Sequence, residues 1–218
     1  LAARALADIA SENDETAEQI VGSGAISPLV KMLESGRGSD AHKSASGCLG
    51  TLAKANFPME KAVCNSAPTV LPGLEVDTDS PEPSETSTTS LAVVHQSTVT
   101  LITEAGGIPL LVELIKSERV GPHENASRAI WQLAHSAENQ RAIARADGII
   151  PLVGLLTSGT EATQRHSAGA LERLARNCPE NQLILAKAKA IGPLVVLLGC
   201  ESSETQEHAV EALLYVAT

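Results

Sequence analysis

The sequence predicts an all-α solenoid, a line of short helical units stacked on one extended core. Three observations carry this: a recurrent small-residue helix signature, a nearly constant spacing between its copies, and Gly/Pro turns at the same interval. The signature A-L-x-x-L-A reads Ala5-Leu6…Ile9-Ala10, Cys48-Leu49…Leu52-Ala53, Ala129-Ile130…Leu133-Ala134, Ala170-Leu171…Leu174-Ala175 and Ala212-Leu213…Val216-Ala217. Its second positions fall at 6, 49, 130, 171 and 213, in steps of 43, 81, 41 and 42. The 81 reads as two steps with a poorly matching unit between. A period near forty marks units that cannot bury their apolar faces alone and must stack.

Each clear unit repeats one order of elements. A short helix opens at Glu138-Asn139-Gln140 or Glu180-Asn181-Gln182. A turn follows, such as Gly106-Gly107-Ile108-Pro109, Asp147-Gly148-Ile149-Ile150-Pro151 or Ala190-Ile191-Gly192-Pro193. Glycine permits the sharp reversal, and proline in a first helical turn forfeits no hydrogen bond. The second helix, Pro151-Leu152-Val153-Gly154-Leu155-Leu156, is apolar nearly all round, as expected of one sandwiched between neighbours. A longer third helix carries the signature. Ser203-x-x-Gln206 reads as a capping box at one third-helix start, and Asn177-Cys178-Pro179-Glu180 resembles one at a first-helix start.

The turn prolines keep the same register, with Pro28 to Pro68 at 40 residues, Pro68 to Pro109 at 41, and Pro109 to Pro151 and Pro151 to Pro193 at 42 each. They place the poorly matching unit at 54–97, where Met59-Glu60-Lys61-Ala62-Val63 makes a weak first helix and Leu91 and Val94 stand in signature positions. Residues 76–90 interrupt it with an acidic Ser/Thr/Pro loop too polar to order itself. The expected organisation is one array of about five units: 1–16 the end of a truncated repeat, then 17–53, the degenerate 54–97, 98–136, 137–177 and 178–218. Because Leu1 falls inside a repeat and neither end supplies a polar capping unit, the chain is expected to be a piece of a longer protein.

These features together resemble the armadillo repeat family. The carriers are the ~42-residue spacing, the three-helix pattern, the E-N…G-I-I-P-L-V-x-L-L motif over 138–156 and the S-A-G-A-L-x-x-L-A segment over 167–175. The resemblance implies a right-handed superhelix whose third helices line a concave groove that binds partner proteins. It points to a non-catalytic interaction scaffold, with the substrate-recruiting region of a plant-type U-box ubiquitin ligase as the alternative.

Helical geometry selects the residues on that groove. On the third helix of the 98–136 unit, Ala126, Ala129, Ile130, Leu133 and Ala134 share the core face, leaving Arg128, Trp131, Gln132 and His135 on the opposite stripe. Equivalent stripes are Arg4, Ala7, Asp8, Ser11; Gly47, Gly50, Thr51, Lys54; Gly169, Glu172, Arg173, Arg176; and Glu211, Leu214, Tyr215, Thr218. The candidate partner-binding residues are therefore Arg128, Trp131, Gln132, His135, Arg173, Arg176, Glu211 and Tyr215. Arginines and aromatics dominate protein-interface energetics, and an arginine stripe suits an acidic or phosphorylated segment. In the importin-α branch, a Trp and an Asn four residues later hold basic peptides. Here the two positions read Gly47/Thr51, Arg128/Gln132, Gly169/Arg173 and Glu211/Tyr215, which argues against that mode.

Other classes find little support. His42, His123, His166 and His208 recur at the repeat spacing, so each belongs to its own unit and no metal site is expected. No phosphate loop, nucleophile elbow or kinase motif is present, and neither a cofactor nor a small-molecule substrate is expected. The net charge is −10, but seven acids and no Lys or Arg lie between 62 and 115; the remainder carries 16 positive and 19 negative charges. That excludes the basic stripe of a nucleic-acid binder. No apolar run reaches the ~20 residues of a membrane helix. The four cysteines form no C-x-x-C pair and read as reduced thiols of a cytoplasmic protein, with nuclear or peripheral-membrane placement left to regions beyond this chain. Ser80 and Ser84 in the acidic loop are candidate phosphoacceptors.

Overall fold

Each first-to-second-helix reversal needs one residue at positive φ, and four units supply it at equivalent places: Gly24 (78°), Gly106 (77°), Asp147 (58°) and Lys189 (59°). In the third of these the aspartate, not the neighbouring glycine, takes the left-handed conformation. Gly148 is needed for closeness instead, since a Cβ there would sit 2.8 Å from the Ile143 side chain. Pro28, Pro109, Pro151 and Pro193 each occupy the third position of the helix that follows, where no intrahelical donor is lost.

The computed structural model describes residues 2–35, 39–55, 97–118 and 121–217. Among them are thirteen helices. Helix α1 (Ala2–Glu12) stands alone as a third helix. Four three-helix units follow: α2 (Asp14–Gly22), α3 (Ile26–Glu34) and α4 (Ser39–Ala55); α5 (Thr98–Glu104), α6 (Gly107–Lys116) and α7 (His123–Leu133); α8 (Ala137–Arg145), α9 (Ile149–Ser158) and α10 (Glu161–Ala175); and α11 (Pro179–Lys187), α12 (Ile191–Leu197) and α13 (Ser203–Val216). The third helices pack in the order α1, α4, α7, α10, α13. This is an all-α solenoid. Its core is one continuous cluster of Ala, Leu, Ile and Val, and Ala126, Ala129, Ile130, Leu133 and Ala134 are fully buried as the period requires.

Helices α4 and α7 are direct neighbours. Asn125 Nδ2 donates to the Lys43 carbonyl at 2.9 Å, Arg128 donates to the Gly47 carbonyl at 3.1 Å, and a Cβ on Gly50 would lie 3.4 Å from Ala129. No third helix stands between them. The degenerate unit expected at 54–97, with the 76–90 loop, Ser80 and Ser84, lies outside the described residues but for its first two positions and its last.

The E-N-Q motif that opens two of the units has a clear task. The last carbonyls of a helix lack intrahelical partners. Buried Asn139 donates to Leu133 at 2.9 Å and Gln140 to Ala134 at 3.1 Å, closing the end of α7. Asn181 and Gln182 do the same for Leu174 and Ala175 of α10, at 2.8 and 3.0 Å. The N-cap of α13 is Ser202, whose hydroxyl accepts from the Thr205 amide, one residue before the box expected at Ser203; Gln206 instead donates to the Cys200 carbonyl. Asn177 takes φ 52° as the chain leaves α10, and α11 carries no side-chain cap, so no capping box forms there.

Stacking is what buries each unit. Ile191, Val195, Val210 and Leu214 of the last unit are at least half-exposed, whereas their counterparts Ile149, Val153, Ala168 and Glu172 are covered by the unit that follows. Cys48 is fully buried, which raises its thiol pKa to about 11. Asn181→Ala would strand the Leu174 carbonyl in the core. It should lower stability by about 1–3 kcal/mol in urea unfolding, while an exposed Glu180→Ala change stays within about 0.5 kcal/mol.

Candidate partner-binding groove

The concave face is built where the third helices touch, and small residues set how closely they approach. The structure brings most of the expected stripe together in two regions of different character. In the C-terminal region, Trp131 of α7 lies flat across α10. Its ring stacks on His166 at 5.8 Å, meets His208 of α13 edge-on at 5.3 Å, and carries the Arg173 guanidinium 4.7 Å from its centre. This reach is possible because position 169 is glycine: a Cβ there would sit 2.6 Å from the Trp131 ring nitrogen. Trp131 thus contacts the second unit along as well as the first, a bridge that nearest-neighbour stacking does not require.

Arg173 also donates to the Trp131 carbonyl and approaches His135 Nδ1 at 3.0 Å, while Arg176 Nε donates to the Tyr215 hydroxyl at 3.0 Å. Beneath them Glu172, buried, accepts from His208 Nδ1 at 2.9 Å. Burial pushes the Glu172 carboxyl up. The hydrogen bonds to His208 and Glu211 and the Arg173 charge outweigh it and hold the group below its ordinary value. Glu211, on the other side of the shared hydrogen bond, is raised. The arginines of this region are thus matched by local carboxylates. Tyr215 and Glu211 lie beside Arg176 as the stripe requires. Gln132 does not reach the surface: α7 is flanked by both α4 and α10, and the open face is narrower than a four-residue stripe.

The N-terminal region is open. A cleft of about 640 Å3 runs between α1, α4 and α7. Ala7, Gly47, Thr51, Asn125 and Arg128 are among the residues that line it, with the Asn125 side chain in the space a Cβ on Gly47 would take. Arg128 reaches across α4 to the Gly47 carbonyl and to Thr51 Oγ1 at 3.3 Å, and its buried Nε has no partner. Burial lowers its pKa against the raising effect of Glu124.

The repeated histidines do not gather a metal site among the described residues. Two of them nevertheless converge on Trp131, a meeting that repeat spacing alone does not reveal. The legible signal was Gly169, a stripe position whose missing side chain leaves room for Trp131 of the preceding third helix.

His166 sets a pH dependence. Burial, then the charges of Arg165 and Arg128, bring its pKa down to about 4. The unfolded chain takes up this proton near pH 6.5 and the folded chain only near 4, so stability falls as pH drops through that window. The loss should be roughly 3 kcal/mol for this group, and His166→Gln should flatten that part of the profile in urea titrations. Gly169→Ala should displace the only tryptophan of the chain, shift its emission and cost about 1–3 kcal/mol.

The sequence profile of the armadillo/β-catenin-like repeat matches residues 95–135, 136–176 and 178–218. No curated protein sequence matches the chain. Among solved structures, computationally designed armadillo repeat proteins for modular peptide recognition share 25% identity at a TM-score of 0.73, over 99% of this chain and 74% of theirs. A designed armadillo repeat protein in complex with the peptide (KR)4 shares the fold at 23% identity and TM-score 0.69, over 97% and 72%. The armadillo-repeats-only protein of Plasmodium falciparum shares it at 18% and 0.66, over 98% and 78%. With the stacked three-helix units and the profile match over more than half its length, this chain belongs to the armadillo/β-catenin-like repeat family.

Proposed function

We propose that this chain is a non-catalytic scaffold that holds a segment of a partner protein against the concave face of its third helices. The observation that supports the reading is the ladder of third helices in contact, α1–α4–α7–α10–α13; to its binding face we assign Arg128, Trp131, Arg173, Arg176, Glu211 and Tyr215. An extended chain laid across such a ladder meets each unit in turn, so many weak contacts add without a deep pocket. Trp, Tyr and Arg are the side chains that dominate such interfaces. Designed relatives built for peptide recognition on the same fold support the reading.

Three arginines on the face favour a partner segment that is acidic or phosphorylated, because guanidinium groups bind carboxylate and phosphate oxygens in paired hydrogen bonds. Arg176, exposed beside Tyr215, is the most accessible of them. The test is selection of binders from a random peptide library, with affinities followed through Trp131 emission. Selected peptides should be enriched in acidic residues and lose about tenfold or more in affinity against Arg173→Glu/Arg176→Glu, a cost of ~1.4 kcal/mol. Undiminished affinity for that variant would place binding elsewhere.

A further inference from the structure

We infer that the α1–α4–α7 cleft is a recognition subsite for a mixed-charge extended peptide, one that places an acidic and a basic side chain on the same stretch; this rests on the groove reading above. The cleft is lined by Arg4, Lys43 and Arg128 and by Asp8 and Asp40. Arg4, Asp8, Asp40 and Lys43 are exposed, and among the described residues none of them is ion-paired. Arg173 and Arg176 differ, since Glu172 and Glu211 stand beside them.

Arg128 has hydrogen-bonding capacity to spare. Its guanidinium is half-buried and bonded only to a neutral carbonyl and a neutral hydroxyl, with Nε unpartnered, and the Glu124 carboxylate acts on it without forming an ion pair. A ligand carboxylate entering here would supply the direct partner that this half-buried charge lacks. The carboxylates of Asp8 and Asp40 face the same space, so the cleft carries only one excess positive charge. Opposed signs at close range penalise a polyanion and a polycation alike and reward a ligand that supplies one of each. Ala7 contributes only a methyl group to the lining, while the Asn125 side chain, donating to the Lys43 carbonyl, fills the space a Cβ on Gly47 would take.

The test measures fluorescence anisotropy of labelled (EK)4, (EE)4, (KR)4 and (GS)4 peptides at low ionic strength against the whole chain carrying Arg173→Gln/Arg176→Gln, so that the acidic-peptide contacts proposed above do not contribute. This background should bind (EK)4 at least about threefold more tightly than any other. Arg4→Glu/Lys43→Glu, which makes the cleft acidic, should turn the preference to (KR)4. Asp8→Lys/Asp40→Lys should turn it to (EE)4. All four positions are exposed, and thermal melts confirm that each variant folds. Preference of this background for (EE)4 or (KR)4, or no binding of (EK)4, overturns the mixed-charge assignment. Cleft variants that change nothing while Arg173→Glu/Arg176→Glu weakens binding overturn the subsite and leave the groove reading standing. Binding that neither pair of changes affects defeats both.

Discussion

Everything in this molecule depends on how closely the third helices approach one another. Their contacts are made by alanine and glycine: Gly50 against Ala129, Gly169 beneath Trp131, and buried Ala126, Ala168, Ala170, Ala209 and Ala212 along the same ladder. The second helices bring larger side chains, such as Leu111, Val112, Leu152 and Leu156. A stack with small contacts on one side and large ones on the other must curve toward the small side. Concavity follows from that difference in volume, and the concave face is where an extended partner can touch successive units.

The same closeness governs the electrostatics. Helices packed through glycine and alanine bring side chains from neighbouring units within hydrogen-bonding distance, so charges on the inner face answer one another across repeats. At the C-terminal end these links are His208 with Glu172, Arg173 with the Trp131 carbonyl and ring, and Arg176 with Tyr215, while Trp131 Nε1, His166 Nδ1 and His208 Nε2 stay buried without partners. At the N-terminal end Arg128 reaches over Gly47 and finds only neutral acceptors.

The fold was largely legible in the sequence because its determinants are local and periodic. In its three middle copies the signature selected core residues now found buried, whereas in the first and last copies Ile9 and Ala217 are exposed; the turn prolines fell in first helical turns. What depended on contacts between units was less legible. The direct α4–α7 contact is one case, since a period counts residues and not neighbours. Gln132 looked exposed because a single-helix projection ignores helices packed on both sides. Trp131 was placed on the groove, but its span to His208 depends on the absent side chain of Gly169. The left-handed position passed from glycine to Asp147 and Lys189, residues that no turn pattern singled out.

The central claim is that the ladder runs without a break from α1 to α13. It is tested most directly by replacing residues 56–96 with two residues, which together with Ser97 make a connection of three, the length that joins α7 to α8 and α10 to α11. If α4 rests on α7 by itself, the shortened protein keeps one cooperative thermal transition, with Tm within about 4 °C of the parent, the equivalent of ~1 kcal/mol. Two separate transitions, or loss of cooperative unfolding, would contradict the account.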